Sequence, residues 1–181
     1  EFGKIVCISV GLINDKETNR ELRIKSYASD YEKELLVEFA EMLTKHFNSA
    51  EHILCGHNGK EFDFPYIARR MLVNGIRLPK ILDTVGKKPW EVNHLDTMQM
   101  WKFGDFKNFT SLKLLAFIFN LPTPKDDIDG SQVAGVYWRE KNLQRIVTYC
   151  EKDVVTLVQV YLKLIGRPIL KQEEINLPSA E

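Results

Sequence analysis

The sequence predicts an α/β domain, a mixed sheet flanked by helices. Three observations carry this. A β-branched apolar run opens the chain, apolar stripes of helical period interleave with short apolar runs, and the C-terminal half ends in one long helical pattern.

Lys4–Ile13 contains the continuous run IVCISVGLI and reads as a buried strand. Asn14–Asn19 is a polar turn, and Arg20–Ser29 reads as the next, antiparallel strand. Ser29-Asp30-Tyr31-Glu32 has the form of a capping box. The helix after it carries Tyr31, Leu35, Phe39, Met42, Leu43 and Phe47 on one stripe.

His52–Cys55 reads as a short strand ending at Gly56, followed by a helix from about Pro65 to the C′ residue Gly75. A short strand near His94–Thr97 lies in an otherwise loop-like stretch. Ser111–Asn120 and Ser131–Arg139 read as helices. The final helix is Asn142–Ile165, capped by Asn142 and ended by Gly166. The expected organisation is one domain over 1–167 and a polar, loosely held tail over 168–181.

A chain of 181 residues can bury one core, and no apolar run reaches the length of a membrane span. Cys7, Cys55 and Cys150 are widely spaced, each within an apolar run, and read as buried free thiols of a cytoplasmic protein. The formal net charge of zero does not announce a nonspecific nucleic-acid binder. No phosphate-binding glycine loop and no Cys-x-x-Cys or His-x-x-x-His zinc pattern occurs.

Two segments can carry chemistry. In GHNGKEFDF, Asn58 and Phe62-Asp63 sit between a strand end and a helix start. Asp63 there reads either as a helix-start cap or as a site carboxylate. In YCEKDV, Tyr149 and Asp153 stand four apart, on one helix face at the border of an apolar stripe. A carboxylate at that border needs a pairing partner or a metal ion. Asp96, at a strand end, reads as a turn or cap residue or as a further acid. The segment from Trp101 to Phe109 interleaves aromatic and basic residues, either as core anchors or as a stacking surface for bases.

In order along the chain, IVCISVG, GHNGKEFDFPYIARR, HLDTMQMW, SLKLLAFIFNLPTPKDDIDGSQV and YCEKDVVTLVQVYLKL resemble the DEDD-type 3′–5′ exonucleases of the tyrosine subclass, related to the proofreading domain of family-B DNA polymerases. The resemblance covers most of the chain and implies a ribonuclease H-like fold. It also implies a two-metal mechanism with Mg²⁺ or Mn²⁺, acting on a single-stranded or 3′-end nucleic acid. By this resemblance Asp63 and Asp153 match metal-binding acids and Tyr149 the residue that orients the attacking water. Asn58 and Phe62 match positions that shape the seat of the terminal nucleotide. Lys125 is a further candidate for a phosphate.

The pattern departs in one place. The family's first two acids, Asp-x-Glu, lie on a strand ahead of the opening strand here, so that strand is expected to be missing from this chain. Asp15-Lys16-Glu17 has the right spelling but reads as a solvated hairpin turn. With Asp63 and Asp153 alone, metal binding is expected to be weak or absent. Exposed sheet edges would favour a dimer. Two other readings stay open: a catalytically inactive nucleic-acid-binding or scaffold domain of the same fold, and a thiol enzyme using Cys55.

Overall fold

In the computed structural model, β1 (Cys7–Lys16) and β2 (Asn19–Ala28) form an antiparallel hairpin, from Cys7 opposite Ala28 to Lys16 opposite Asn19. The structure describes residues 3–16, 19–105, 107–122 and 128–177. Lys125 and Glu17 lie outside them, so the expectations placed on those two residues have no structural counterpart here. The chain forms two compact units, Glu1–Ile5 with Asp30–Ser111, and Val6–Ser29 with Leu112–Glu181.

In the second unit, the hairpin packs against α6 (Leu143–Leu164). Val154, Val155 and Val158 of α6 meet a core of Leu22, Ile24, Leu162 and Leu170. A short β5 (Ile175–Asn176) adds to β2 in parallel, which makes this sheet mixed, with β1 at one edge. The same unit holds α4 (Leu112–Ile118) and α5 (Val133–Gly135), the latter running into a π-helical turn over Val136–Glu140.

The expected loose tail is corrected for the described residues. Gln159, buried on α6, donates to the Leu170 carbonyl at 2.9 Å and accepts from its N–H at 2.8 Å. That pair satisfies the backbone where the chain turns back toward β2, and Leu170 fills the core.

The first unit contains α1 (Glu32–His46), α2 (Asp63–Val73), α3 (Thr97–Lys102) and a two-stranded parallel ladder of β3 (Cys55–Gly56) and β4 (Leu95–Asp96). The α1 stripe buries Leu35, Leu36, Phe39, Ala40 and Leu43, while Tyr31 is exposed. The expected capping box at Ser29 is not formed. Tyr31 is the N-cap, without a side-chain cap. Glu32 is drawn elsewhere: it accepts from Arg70 Nε at 2.8 Å, Asn74 Nδ2 at 3.0 Å and the Ile5 N–H at 2.7 Å. A buried ion pair with further donors outweighs a local cap, because leaving either charge alone would cost several kcal/mol, roughly 3–5.

The fold class is therefore the one the sequence predicts, α/β with a mixed sheet flanked by helices. Among the described residues no helix is long and apolar enough to cross a membrane.

Candidate functional site

The turn that carries Asn58 is dictated by its glycines. A Cβ on Gly56 would lie 3.0 Å from the Gly59 Cα and 3.1 Å from the Phe64 ring. One on Gly59 would sit 3.0 Å from that ring and 3.1 Å from the Gly56 Cα. The backbone thus folds closely onto itself under Phe64, and a side chain at either position would have to push the Phe64 ring or the facing glycine aside by a few tenths of an ångström. Asn58, between them, adopts φ 61°, the left-handed region that asparagine tolerates better than most residues.

This conformation is held from the neighbouring strand. Asp96, only 3% exposed, accepts from the backbone N–H groups of Asn58 at 2.9 Å and Lys60 at 3.1 Å. It also caps α3, accepting from Met98 N at 3.0 Å and, more weakly, Gln99 N at 3.4 Å. Of the two sequence readings of Asp96, the cap is the one found. Its carboxylate is committed to backbone donors.

His57 closes the same turn. Its Nε2 lies 2.8 Å from the Thr110 carbonyl and its Nδ1 2.9 Å from Thr97 Oγ1. A carbonyl only accepts, so Nε2 carries the proton and Nδ1 accepts from the threonine hydroxyl. Burial holds the His57 pKa below the usual histidine value, despite opposite pulls from the Thr110 bond and the Asp96 charge. His94 is similarly neutral: burial, with Lys60 and Lys87 nearby, lowers its pKa while it bridges Ile81 and Leu54.

Asp63 is the first residue of α2 rather than its cap, a place taken by Phe62. A carboxylate in a first helical turn is favoured by the helix dipole. Asp63 is nonetheless raised in pKa, first by desolvation on its protein-facing side and then by the charge of Asp96. Its outer side meets solvent, which tempers that push. Phe62 is 60% exposed and stacks on Tyr66, with ring centroids 6.0 Å apart. Asn58, Phe62 and Asp63 are thus brought into one short turn, Phe62 donating its N–H to the Asn58 carbonyl at 3.0 Å.

In the other unit, Tyr149 and Asp153 stand one turn apart on α6, both half-buried. Tyr149 packs with Cys150 against Ile128, Val136, Tyr137 and Ile146, and its hydroxyl faces Gly130. The helix is held in place at Glu151, which accepts from Ser26 Oγ at 2.7 Å. Of the stripe expected on α6, Ile146, Cys150, Val154, Leu157 and Tyr161, only Ile146 is buried and the other four are half-buried, whereas Val147, Gln159, Val160 and Leu162 are buried.

Asp15 is ion-paired rather than solvated, meeting Arg20 at 2.8 Å and Arg167 at 3.1 Å. It staples the hairpin end to the segment after α6. The cysteines are free but half-buried, which corrects the expectation of full burial. Burial, and then the charge of Asp96, push the Cys55 thiol up to about 12, so it carries almost no thiolate near neutrality.

Sequence reasoning did not single out His57 as a clamp. The signal available was Asp96-Thr97 ahead of an apolar helical run, a cap pattern that places Thr97 within reach of the preceding strand.

The described residues hold no group of three or more His, Cys, Asp or Glu placed to bind one metal ion. Asp63 and Asp153 offer the oxygen donors that Mg²⁺ and Mn²⁺ take, but two carboxylates are too few for a pair of such ions. Asp15 and Asp96 are committed to other partners. The described residues alone therefore do not make up the two-ion set.

These elements define an α/β domain of the ribonuclease H-like kind. Residues 1–174 match a family described as a predicted 3′–5′ exonuclease related to the exonuclease domain of PolB, and the chain belongs to that family. No solved structure matches the chain.

Proposed function

We propose that the domain hydrolyses phosphodiester bonds at the 3′ end of a nucleic acid and releases nucleoside monophosphates. The family match over residues 1–174 carries this reading. It is supported by Asp63 at the start of α2, in a turn built to hold that stretch of backbone, and by Tyr149 one turn from Asp153. In this reading Asp63 and Asp153 are the carboxylates that face divalent ions. Tyr149 orients the water, and Asn58 and Phe62 shape the seat of the last nucleotide. Divalent ions would supply an activated water and charge neutralisation at the leaving oxygen.

Among the described residues no three or more His, Cys, Asp or Glu are grouped to hold a metal ion, which favours a second reading, a binding domain of the same fold without turnover. One experiment separates the two. A 5′-labelled single strand, DNA or RNA, is incubated with Mg²⁺ or Mn²⁺ and this chain. A form extended at the N-terminus by the strand that the exonuclease resemblance calls for is run in parallel. Shortening from the 3′ end that needs the metal and disappears in Asp153→Asn supports the exonuclease. Binding without shortening in both forms supports the inactive domain.

A further inference from the structure

The loop between α3 and α4 presents two phenylalanines to solvent, Phe103 at 87% and Phe109 at 69% exposure. They are not left out by lack of structure. The Asp105 N–H donates to the Lys102 carbonyl at 2.7 Å, and the Asp105 carboxylate accepts from the Lys107 N–H at 3.1 Å and from the Asn108 amide. Phe103 itself is in the left-handed region at φ 43°. A constrained turn thus holds both rings outward, although burying such rings away from water is favourable.

The charges on this loop divide in a useful way. Asp105 is turned onto the loop's own donors, so its charge is locally engaged. Lys102 lies with its Nζ 4.3 Å from the Phe109 ring centroid, and Lys107 is exposed. The Lys102 ammonium thus covers one face of Phe109, and the loop offers the Phe103 ring and the other face of Phe109 with ammonium groups close by.

Both ends of the loop are tied to the Asn58 turn. At one end α3 begins on Thr97, bonded to His57, and is capped by Asp96, which holds Asn58 and Lys60. At the other end the Thr110 carbonyl accepts from His57. The two ends of the loop are thus anchored at the Asn58 turn.

We propose that this loop is a stacking platform for single-stranded nucleic acid, with bases on Phe103 and Phe109 and phosphates on Lys102 and Lys107. The proposal rests on the exonuclease reading for its choice of ligand class and names the form of the substrate as an unpaired strand. Stacking on a ring accepts every base, which suits a surface without a hydrogen-bonding code. It also fits a chain of zero net charge, where two lysines alone would hold a strand weakly.

The test is fluorescence anisotropy with labelled oligothymidylate and oligouridylate of about a dozen nucleotides, in EDTA so that nothing is cleaved. Phe103→Leu and Phe109→Leu keep apolar bulk but lose the π-face, and each weakens binding about tenfold. Tyrosine at either position restores it. Lys102→Gln makes the slope of log K against log salt shallower by about 0.7. Failure of the unaltered chain to bind either oligonucleotide, or leucine variants that bind as tightly as it does, overturns the proposal. With Mg²⁺ or Mn²⁺ restored and the N-terminally extended form run alongside, ring-dependent binding without shortening in either form would sink the exonuclease reading and leave the platform standing. Shortening with an affinity indifferent to the rings would do the reverse.

Discussion

The Asp96 carboxylate accepts a hydrogen bond of 2.9 Å from the backbone N–H of Asn58, across the β3–β4 ladder. It fixes the left-handed residue of the turn and, through Met98, the start of α3. Asp96→Ala leaves these N–H groups without an acceptor in a buried place. The expected cost is about 2–4 kcal/mol, read as a lower urea midpoint at unchanged m. Asn at this position can accept but carries no charge, and should cost about half as much.

Stability should fall on the acid side in two stages. His57 and His94 have folded pKa values below the ordinary one, so the unfolded chain binds more protons as pH drops below about 6.5, and stability is lost from there down. Glu32 follows. Burial alone would raise its pKa, but hydrogen bonds from Arg70, the Ile5 N–H and Asn74 lower it overall. Its contribution is therefore present above the unfolded carboxylate value and disappears as pH falls through the lowered folded value. Urea titrations at a series of pH values check this. Arg70→Ala, which strands the Glu32 charge, should cost about 3–5 kcal/mol at neutral pH.

Gly11 of β1 lies where α6 crosses the hairpin. A Cβ there would stand 2.8 Å from Val154 Cγ1 and 2.9 Å from Leu22 Cδ1. Leu22 is fully buried and Val154 belongs to α6, the helix of Tyr149 and Asp153, so a Cβ here must displace one or both side chains within a packed core. Gly11→Ala should destabilise by about 1–3 kcal/mol, measured as a drop in Tm.

The three thiols should react in a set order. Cys150 and Cys7 share a hydrogen bond that lowers Cys7 and raises Cys150, while burial raises Cys55. Iodoacetamide near pH 8 should label Cys7 first, as peptide mass spectrometry would show. Any strand-shortening activity should survive with Cys55 blocked or replaced by alanine. Loss of turnover on blocking Cys55 would revive the thiol-enzyme alternative.

Local signals were legible where local chemistry decides. Asn142 caps α6 by accepting from Arg145 N at 3.0 Å, and Gly166 ends it at φ 70°, as its sequence pattern predicts. Gly75, at φ 70°, ends α2 in the same way. What escaped was decided by distant partners. Glu32 left its local cap for Arg70, and Gln159 recruited Leu170. Asp15 found Arg167, and His57 found Thr110. The Asn58–Asp63 turn was legible because its glycines, asparagine and helix start act within a few residues. The commitment of Asp96 to that turn was not, because it depends on pairing between β3 and β4.

On the proposed reading Asp63 and Asp153 act on one phosphodiester, and a double-mutant comparison tests that most directly. Initial rates of 3′-end shortening would be measured with Mn²⁺ in the N-terminally extended form, for Asp63→Asn, Asp153→Asn and the double variant. Each single change should cost at least about a hundredfold, and the double variant should lose little more than the worse single, because residues that act as a unit are not additive. Losses that multiply, or a single variant that shortens the strand at the unaltered rate, would contradict the account.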